Sequence, residues 1–122
     1  DYIRLADVLA CGGVGATGER ILSGAAIDLL RANQLNDAQM HDFNWVQMAG
    51  YGYGLGVRTA INRAGGLLCP MGEFGWGGAA GAYFSADPQN RISIFYAQHM
   101  LNNKEPYVHP RLRNLVYSCL ER

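Results

Sequence analysis

The sequence predicts an α+β protein in which an antiparallel sheet has a C-terminal helix packed on it and two helices at its N-terminal end. Apolar residues recur at helical spacing in two stretches within residues 1–49. The period changes to two over residues 50–100, and helical spacing returns over residues 110–122. Short turn sequences separate the strands, which favours hairpins over the helical crossovers of a parallel sheet.

The segment 1–49 is predicted to contain two helices followed by a loop. Asp1 can cap the first helix, and Gly12-Gly13 ends it. The second begins after Ser23, a suitable N-cap residue, and fades at Asn33. Residues 36–50 are polar and show no clear period, which predicts a loop. The apolar positions of the first helix fall at i, i+3, i+4 and i+7: Tyr2, Leu5, Ala6 and Leu9.

From Gly50 to Ile61, glycines alternate with larger residues, which predicts one strand with a bare glycine face. Each glycine costs backbone entropy, so this face must let another group approach closely. We interpret it as a packing surface, with ligand binding as the alternative. Three further antiparallel strands are predicted over residues 73–79, 81–86 and 91–100.

The C-terminal helix is predicted to start at Pro110, since proline suits the first helical position. The buried positions expected from helical spacing are Leu112, Leu115 and Cys119. The arginines expected to face water are Arg111, Arg113 and Arg122.

Composition excludes several classes of function. The 122 residues have a formal net charge of zero, which gives no electrostatic basis for nucleic-acid binding. The uninterrupted apolar runs are only a few residues long, so no membrane-spanning segment is predicted. The three cysteines, Cys11, Cys69 and Cys119, form no metal-ligand spacing and are predicted to be reduced. We therefore expect no metal and no cofactor.

Two glycine patterns match a dinucleotide-binding fingerprint in spacing only. The first, at Gly13, Gly15 and Gly18, follows a predicted helix, whereas the fingerprint must follow a strand. The second, at Gly75, Gly77 and Ala80, precedes a strand, so no helix N-terminus is available for a pyrophosphate. Nucleotide binding is rejected on both counts.

The order of elements, together with the sequences YGLGV and GWGGAAGAYFSADP, is the most specific feature of the chain. It resembles the C-terminal portion of the serine β-lactamase-like family, which includes class C β-lactamases, penicillin-binding carboxypeptidases and esterase-type serine hydrolases. The resemblance is nearest to the esterase-type members and extends over essentially the whole chain. It implies the β-lactamase/transpeptidase-like fold, in a bacterial-type family that is cytoplasmic or exported.

The resemblance also implies roles for particular residues. Trp76, Gly77 and Gly78 stand where the family carries a Lys-Thr-Gly motif on an inner strand. The backbone N–H of Ala79, the next residue, would be one of two oxyanion-hole donors. A tryptophan in place of lysine removes a cation, which favours neutral esters or amides as substrates. The alternative is a glycine kink in which Trp76 only fills the core.

The catalytic motifs of the family are absent from this sequence. The only lysine, Lys104, has Leu101 three residues before it, so there is no Ser-x-x-Lys nucleophile motif. No serine or tyrosine is followed two residues later by asparagine, so the Tyr-x-Asn motif is missing as well. We therefore expect no catalytic residue in this sequence. We expect both motifs in an N-terminal portion of the same protein, which would be the partner of this chain.

Two functions agree with this pattern. In the first, residues 1–122 are the C-terminal fragment of a serine hydrolase that is an enzyme only when intact. In the second, the protein is a non-catalytic binding or regulatory relative with the same fold. An unrelated α+β module fits less well, because its sheet would lack strands.

Overall fold

The computed structural model of the chain describes residues 1–45 and 48–120. Val46 and Gln47 of the predicted loop, and Glu121 and Arg122 of the predicted C-terminal helix, lie outside the described residues. The elements in chain order are α1 (Tyr2–Ala10), α2 (Gly24–Arg31), α3 (Asp37–Phe43), β1 (Tyr51–Tyr53), β2 (Arg58–Ala60), β3 (Phe74–Gly77), β4 (Tyr83–Asp87), β5 (Ile92–Tyr96) and α4 (Glu105–Ser118).

The strands form one five-stranded sheet in the order β1-β2-β3-β4-β5, with every neighbouring pair antiparallel. The predicted α+β class is therefore confirmed. The last three strands pair in sequence as expected, although each is shorter than its predicted range. For example, β3 ends at Gly77, and Ala79 lies in the turn that follows it.

The single strand predicted over Gly50 to Ile61 is wrong, because this segment is a hairpin. Tyr51 pairs with Ala60 and Tyr53 pairs with Arg58. The connecting turn is closed by the Gly54 N–H, which donates to the Val57 carbonyl at 2.8 Å. Gly56 has φ +84°, a conformation that side-chain-bearing residues rarely adopt. Glycine thus serves the turn as well as the strand.

The glycines of β1 are packed closely by the end of α2. A Cβ at Gly52 would overlap the Asn33 side chain, and one at Gly54 would overlap the Leu30 carbonyl. Backbone bonds join the same elements: the Leu55 N–H donates to the Leu30 carbonyl at 2.8 Å. The packing interpretation is therefore confirmed for Gly52 and Gly54, whereas Gly56 has open space beside it.

The prediction of a loop over residues 36–50 is wrong in part, because this segment contains helix α3. Asn36 caps it by accepting from the Gln39 N–H, and the Gln39 side chain accepts from the Asn36 N–H, each at 3.0 Å. This reciprocal capping box stabilises a helix that has no buried residue. Helical periodicity could not reveal it, since no apolar stripe exists.

The sheet has a packed layer on each face. Helices α1 and α2 cover one face, where the buried side chains are Leu9, Ala10, Ile27, Val57, Phe74 and Ala86. Helix α4 covers the other, where the buried side chains are Tyr51, Ala60, Leu67, Cys69, Tyr83, Ile94 and Tyr117. Among the described residues, no helix combines the length and the apolar character needed to cross a bilayer.

Helix α4 begins at Glu105, five residues before the predicted start at Pro110. Pro106 occupies its first turn, and Pro110 lies inside it. The rule that places proline at the start of a helix is obeyed, but by the earlier proline.

The buried face of α4 is also not the predicted one. Leu115 is 63% exposed and Cys119 is exposed, whereas Arg113, expected in water, is 3% exposed. Leu112 is only partly buried. The residues that α4 buries are His109, Arg113 and Tyr117. The reason is that α4 packs on a polar face of the sheet, where the Tyr117 hydroxyl donates to Asp87 at 3.0 Å.

An ion pair lies at the centre of this polar face. Arg58 Nη2 is 3.0 Å from Glu73 Oε1, and the two side chains are 4% and 0% exposed. The same Glu73 carboxylate accepts hydrogen bonds from the Tyr51 and Ser85 hydroxyls. Arg58 Nη2 also donates to the Tyr83 hydroxyl at 2.8 Å. Residues from three elements, β1, β2 and β4, and from the segment before β3 therefore meet at one charge pair.

Replacing Glu73 with glutamine tests how much this ion pair contributes to the free energy of unfolding. Glu73→Gln leaves the buried Arg58 guanidinium without its counter-charge, and we expect a loss of about 3–5 kcal/mol in the free energy of unfolding. The matched control is Asp28→Asn, which removes the exposed ion pair with Arg31 and should cost less than about 1 kcal/mol. Urea unfolding of both variants measures the difference, and equal midpoints would show that the buried pair contributes little.

Candidate active site

The candidate site lies where strand β3 extends beyond the end of its neighbour β2. Strand β2 pairs with β3 only through Arg58–Gly75 and Thr59–Phe74. On the other side, β4 continues along β3 as far as Gly77. The β2-side edge of β3 is therefore unpaired beyond Gly75 within the described part of the chain. An unpaired edge presents backbone N–H and C=O groups to whatever lies beside it.

The Ala79 N–H is directed away from the inside of its turn. The Gly78 N–H donates to the Ala82 carbonyl at 2.8 Å, so it points toward β4. Successive N–H groups of a strand point to opposite sides, which directs the Gly77 N–H away from β4. Ala79 lies in the turn, where the trans peptide directs its N–H opposite to the Gly78 carbonyl, the acceptor of the Gly81 N–H. No hydrogen bond joins the Ala79 N–H to any residue that the structure describes.

Hydrogen bonds hold the turn that carries Ala79 on both sides of this residue. The Gly81 N–H donates to the Gly78 carbonyl at 2.8 Å, which fixes the plane of the Gly78–Ala79 peptide. The Asn103 side chain donates from Nδ2 to the Ala79 carbonyl at 2.9 Å. The Met100 N–H donates to the Ala80 carbonyl at 2.9 Å. The direction of the free N–H is thus set in advance of any ligand.

Asn103 and His109 connect the turn to α4, and the sequence analysis identified neither. Asn103 is 8% exposed and also accepts a bond from the Glu105 N–H, at the start of α4. His109 Nε2 lies 2.9 Å from the Gly81 carbonyl, and burial lowers the pKa of His109, which favours the neutral ring as the donor. Neither residue belongs to a motif, and only their position in space reveals them.

Trp76 is half-buried and borders the open edge. Its ring packs edge-on against Tyr53, with 5.1 Å between centroids. Trp76 lines a cavity on each face of the sheet: one on the side of α1 and one on the side of α4. Gly78 beside it is exposed, and a Cβ there would meet only the Ala82 carbonyl, at 4.0 Å. The space next to Gly78 is therefore open, whereas Gly77 lies close to the His109 ring.

An apolar cavity of about 290 Å³ lies beside this strand end, on the α1 side. The Tyr2 ring stacks on the Phe95 ring, with 5.2 Å between centroids, and contacts the Phe84 ring at a tilt, with 5.7 Å between centroids. Such a surface suits an uncharged hydrocarbon or aromatic group. Its lining residues are Tyr2, Trp76, Gly77, Gly78, Ala82, Tyr83, Phe84 and Phe95.

The buried hydroxyl and thiol groups next to the strand are uncharged and have structural roles. Burial raises the pKa of the Tyr51 and Tyr83 hydroxyls, so both remain neutral donors. Burial likewise raises the pKa of Cys69 to about 11, so its thiol stays protonated and unreactive. All three cysteines are free thiols.

Each serine hydroxyl has a hydrogen-bond partner within the fold. Ser23 caps α2, and the Ser85 and Ser93 hydroxyls donate to Glu73 and Asp7. The Ser118 hydroxyl donates to the Leu115 carbonyl. Within the described ranges, no group of three histidine, cysteine or acidic side chains could hold a metal ion.

Comparisons with known proteins relate the chain to parts of longer proteins. No protein-family model matches it. Uncharacterized protein MT1414 and Protein Rv1367c, both from strains of Mycobacterium tuberculosis, are 34% identical to it over 103 residues. That alignment covers 79% of this chain and 25% of either relative. The chain therefore spans about a quarter of the length of the curated relatives it matches.

A solved structure gives a wider match. EstCE1, described as a hydrolase with promiscuous acyltransferase activity, superposes with a TM-score of 0.70 at 23% identity. The match covers 94% of this chain and 28% of EstCE1. At this identity the likeness shows the fold alone: the chain has a hydrolase-like fold that matches one part of EstCE1.

Asn103→Asp tests whether this side chain holds the turn. It places a carboxylate oxygen against the Ala79 carbonyl, and the repulsion should release the turn. We expect amide exchange of the Gly81 and Met100 N–H groups to accelerate by about tenfold or more. The matched control is Asn114→Asp, which makes the same change at the Gly66 carbonyl and should leave both amides protected. Equal acceleration in both variants would contradict the assignment.

Proposed function

We propose that residues 1–122 are the C-terminal portion of a single β-lactamase-related serine hydrolase domain, which cleaves esters or amides through an acyl-serine intermediate. One observation carries the proposal. The Ala79 N–H has no hydrogen-bond partner in the described structure, and it lies in a turn fixed on both sides, directly after Trp76-Gly77-Gly78. The EstCE1-like fold supports it, as does the quarter-length match to the curated relatives.

The chain's own contribution to the reaction is electrostatic and geometric. When a serine attacks an ester carbonyl, negative charge develops on the carbonyl oxygen. The Ala79 N–H stabilises that charge, and a second N–H comes from the nucleophile itself in the portion outside this chain. Removing one such donor from a preorganised site costs about 3 kcal/mol of transition-state stabilisation. Here the donor needs no reorganisation, because the turn is already held.

The walls of the site indicate the substrate class. Gly77 and Gly78 keep the approach to the N–H open, since neither places a side chain beside the strand edge. The apolar cavity lined by Tyr2, Phe84 and Phe95 accepts the hydrocarbon part of a neutral ester. With Trp76 in the motif, no cation stands on the strand itself.

A non-catalytic relative with the same fold is the second candidate. It is favoured by the absence of Ser-x-x-Lys and Tyr-x-Asn motifs from the sequence. The residues that precede this segment in the full-length protein distinguish the two. A Ser-x-x-Lys followed much later by Tyr-x-Asn supports the enzyme, and their absence supports the binding module.

The isolated chain should have no hydrolase activity. Residues 1–122 contain neither the Ser-x-x-Lys nor the Tyr-x-Asn motif, so a nitrophenyl acyl ester should be hydrolysed at the rate of buffer alone. A fluorophosphonate probe, followed by mass spectrometry, should label none of its serines: Ser23, Ser85, Ser93 and Ser118. Stoichiometric labelling of any one of them would refute the fragment proposal.

Gly78→Val in the full-length protein tests the oxyanion role. The valine side chain crowds the approach to the Ala79 N–H, and we expect kcat/KM to fall about 100-fold, the scale of one lost donor. Thermal stability should change little, because Gly78 faces open space. The matched control is Gly24→Val, another glycine with open space beside its Cα, remote from the site.

A loss of activity only in proportion to lost folded protein would assign the glycines to packing. In that outcome Trp76 would be a packing residue as well. Active-site titration with a fluorophosphonate separates the two outcomes, because it counts correctly folded sites.

A further inference from the structure

A second cavity, of about 70 Å³, lies on the α4 side of the sheet, under the strand that carries Trp76. Two arginines line it, and both are 3% exposed. Each carries a buried nitrogen without a hydrogen-bond partner in the described structure: Nη1 of Arg58 and Nε of Arg113. A buried guanidinium nitrogen left unpaired costs free energy, so these two atoms require a ligand or water.

Only one of the two arginines forms an ion pair within the described part of the chain. Glu73 neutralises Arg58 through the contact of 3.0 Å at Nη2. No ion pair joins Arg113 to a carboxylate within the described ranges. Arginine keeps its proton in proteins, so the second positive charge stays in the buried site. The centroid of the Tyr51 ring lies 4.9 Å from the guanidinium carbon of Arg58 and 5.1 Å from that of Arg113. Both cations are therefore close to the same ring.

We propose that this cavity is a binding site for a carboxylate, held by Arg58 Nη1 and Arg113 Nε. A volume of about 70 Å³ is several times the roughly 10–15 Å³ that one water needs, so a carboxylate group has room. Guanidinium groups match the planar, two-oxygen geometry of a carboxylate better than any other side chain does. The bound anion supplies the counter-charge that Arg113 lacks.

Two other groups face the ligand and limit what it can be. Glu105 also lines the cavity, so its carboxylate opposes a bound anion. One unpaired positive charge against this carboxylate favours a monovalent ligand over a divalent one. His109 lines the cavity as well, and burial lowers its pKa, which favours the neutral ring.

The site is separate from the proposed oxyanion donor but close to it. Trp76 and Gly77 line both this cavity and the apolar one. A cation is therefore present beneath the strand, although the Trp76 motif itself has none. The carboxylate has two chemical sources: an acid product of ester cleavage, which agrees with a neutral ester substrate, or a carboxylate arm of the substrate, which would replace that substrate class by a charged one. The site itself does not depend on catalysis, so it can be tested without activity.

The probe is sodium acetate, titrated into the protein at constant ionic strength and followed by NMR of the Gly77 amide and the arginine Nε–H groups. We expect saturable shifts with a dissociation constant on the order of millimolar. Acetamide, which has the same shape without the charge, should produce none. Monomethyl succinate, which carries both an ester and a carboxylate, distinguishes the sources: tighter binding than acetate indicates a substrate arm, weaker binding an acid product.

Three variants locate the site. Arg113→Met should weaken acetate binding by about tenfold or more, because a charge-assisted contact is lost. Its matched control is Arg111→Met on the same helix, an exposed arginine over the Tyr107 ring, which should change binding by less than about twofold. Glu105→Gln should tighten binding severalfold, since it removes the opposing charge. If Arg113→Met does not fold, Arg113→Lys keeps the charge but lacks the Nε donor and should still weaken binding.

Three results would overturn the proposal. The absence of saturable shifts up to about 100 mM acetate would mean that water fills the cavity. Equal effects of the Arg111 and Arg113 variants would mean that acetate senses only surface charge. Tighter binding of sulfate than of acetate would exclude a site selective for a monovalent carboxylate.

Discussion

The buried pair of Arg58 and Glu73 is the contact on which the arrangement of this chain depends. It joins β2 to the segment before β3, and its hydrogen bonds to Tyr51, Tyr83 and Ser85 extend to β1 and β4. A buried pair of this kind adds little net stability compared with an apolar replacement. It does set specificity, because only one register of the strands brings all its partners together. It also makes one face of the sheet polar.

That polar face decides how α4 packs. A helix normally turns its apolar stripe inward, yet α4 buries His109, Arg113 and Tyr117 while Leu115 is exposed. Each of the three has a reason to be inside: Tyr117 bonds Asp87, Arg113 lies over the Tyr51 ring, and His109 reaches the Gly81 carbonyl. The last contact ties α4 to the turn that carries Ala79. The helix therefore links the buried ion pair to the candidate site.

The sequence predicted those parts of the fold whose periodicity reflects burial. Helices α1 and α2 and the three antiparallel strands β3 to β5 were correctly expected, because their apolar residues face a hydrophobic layer. The prediction failed where interactions other than apolar burial determine the structure. A capping box stabilises α3, which has no apolar stripe. Glycines allow residues 50–61 to form a hairpin, and hydrogen bonds to polar groups determine which face of α4 is buried. For the site, the family resemblance supplied Trp76 to Ala79, but Asn103, His109 and Arg113 become neighbours of that strand only through tertiary contacts.

The glycines of the segment from Gly72 to Gly81 do not share one purpose. Gly75 is buried, and a Cβ there would overlap the Phe84 carbonyl of the paired strand, so its smallness serves packing. Gly81 has φ +92° and lies against Asn103, so it serves the turn. Gly78 has ordinary backbone angles and no close neighbour, and neither packing nor turn geometry requires a glycine there. Gly24 also has open space, so the room beside Gly78 matters only through its position: in the proposed function, a molecule approaches the strand there. Because Gly78 directly precedes the free N–H of Ala79, that molecule would meet an unpaired, fixed donor. This is the physical reason to place a functional site at this edge of the sheet.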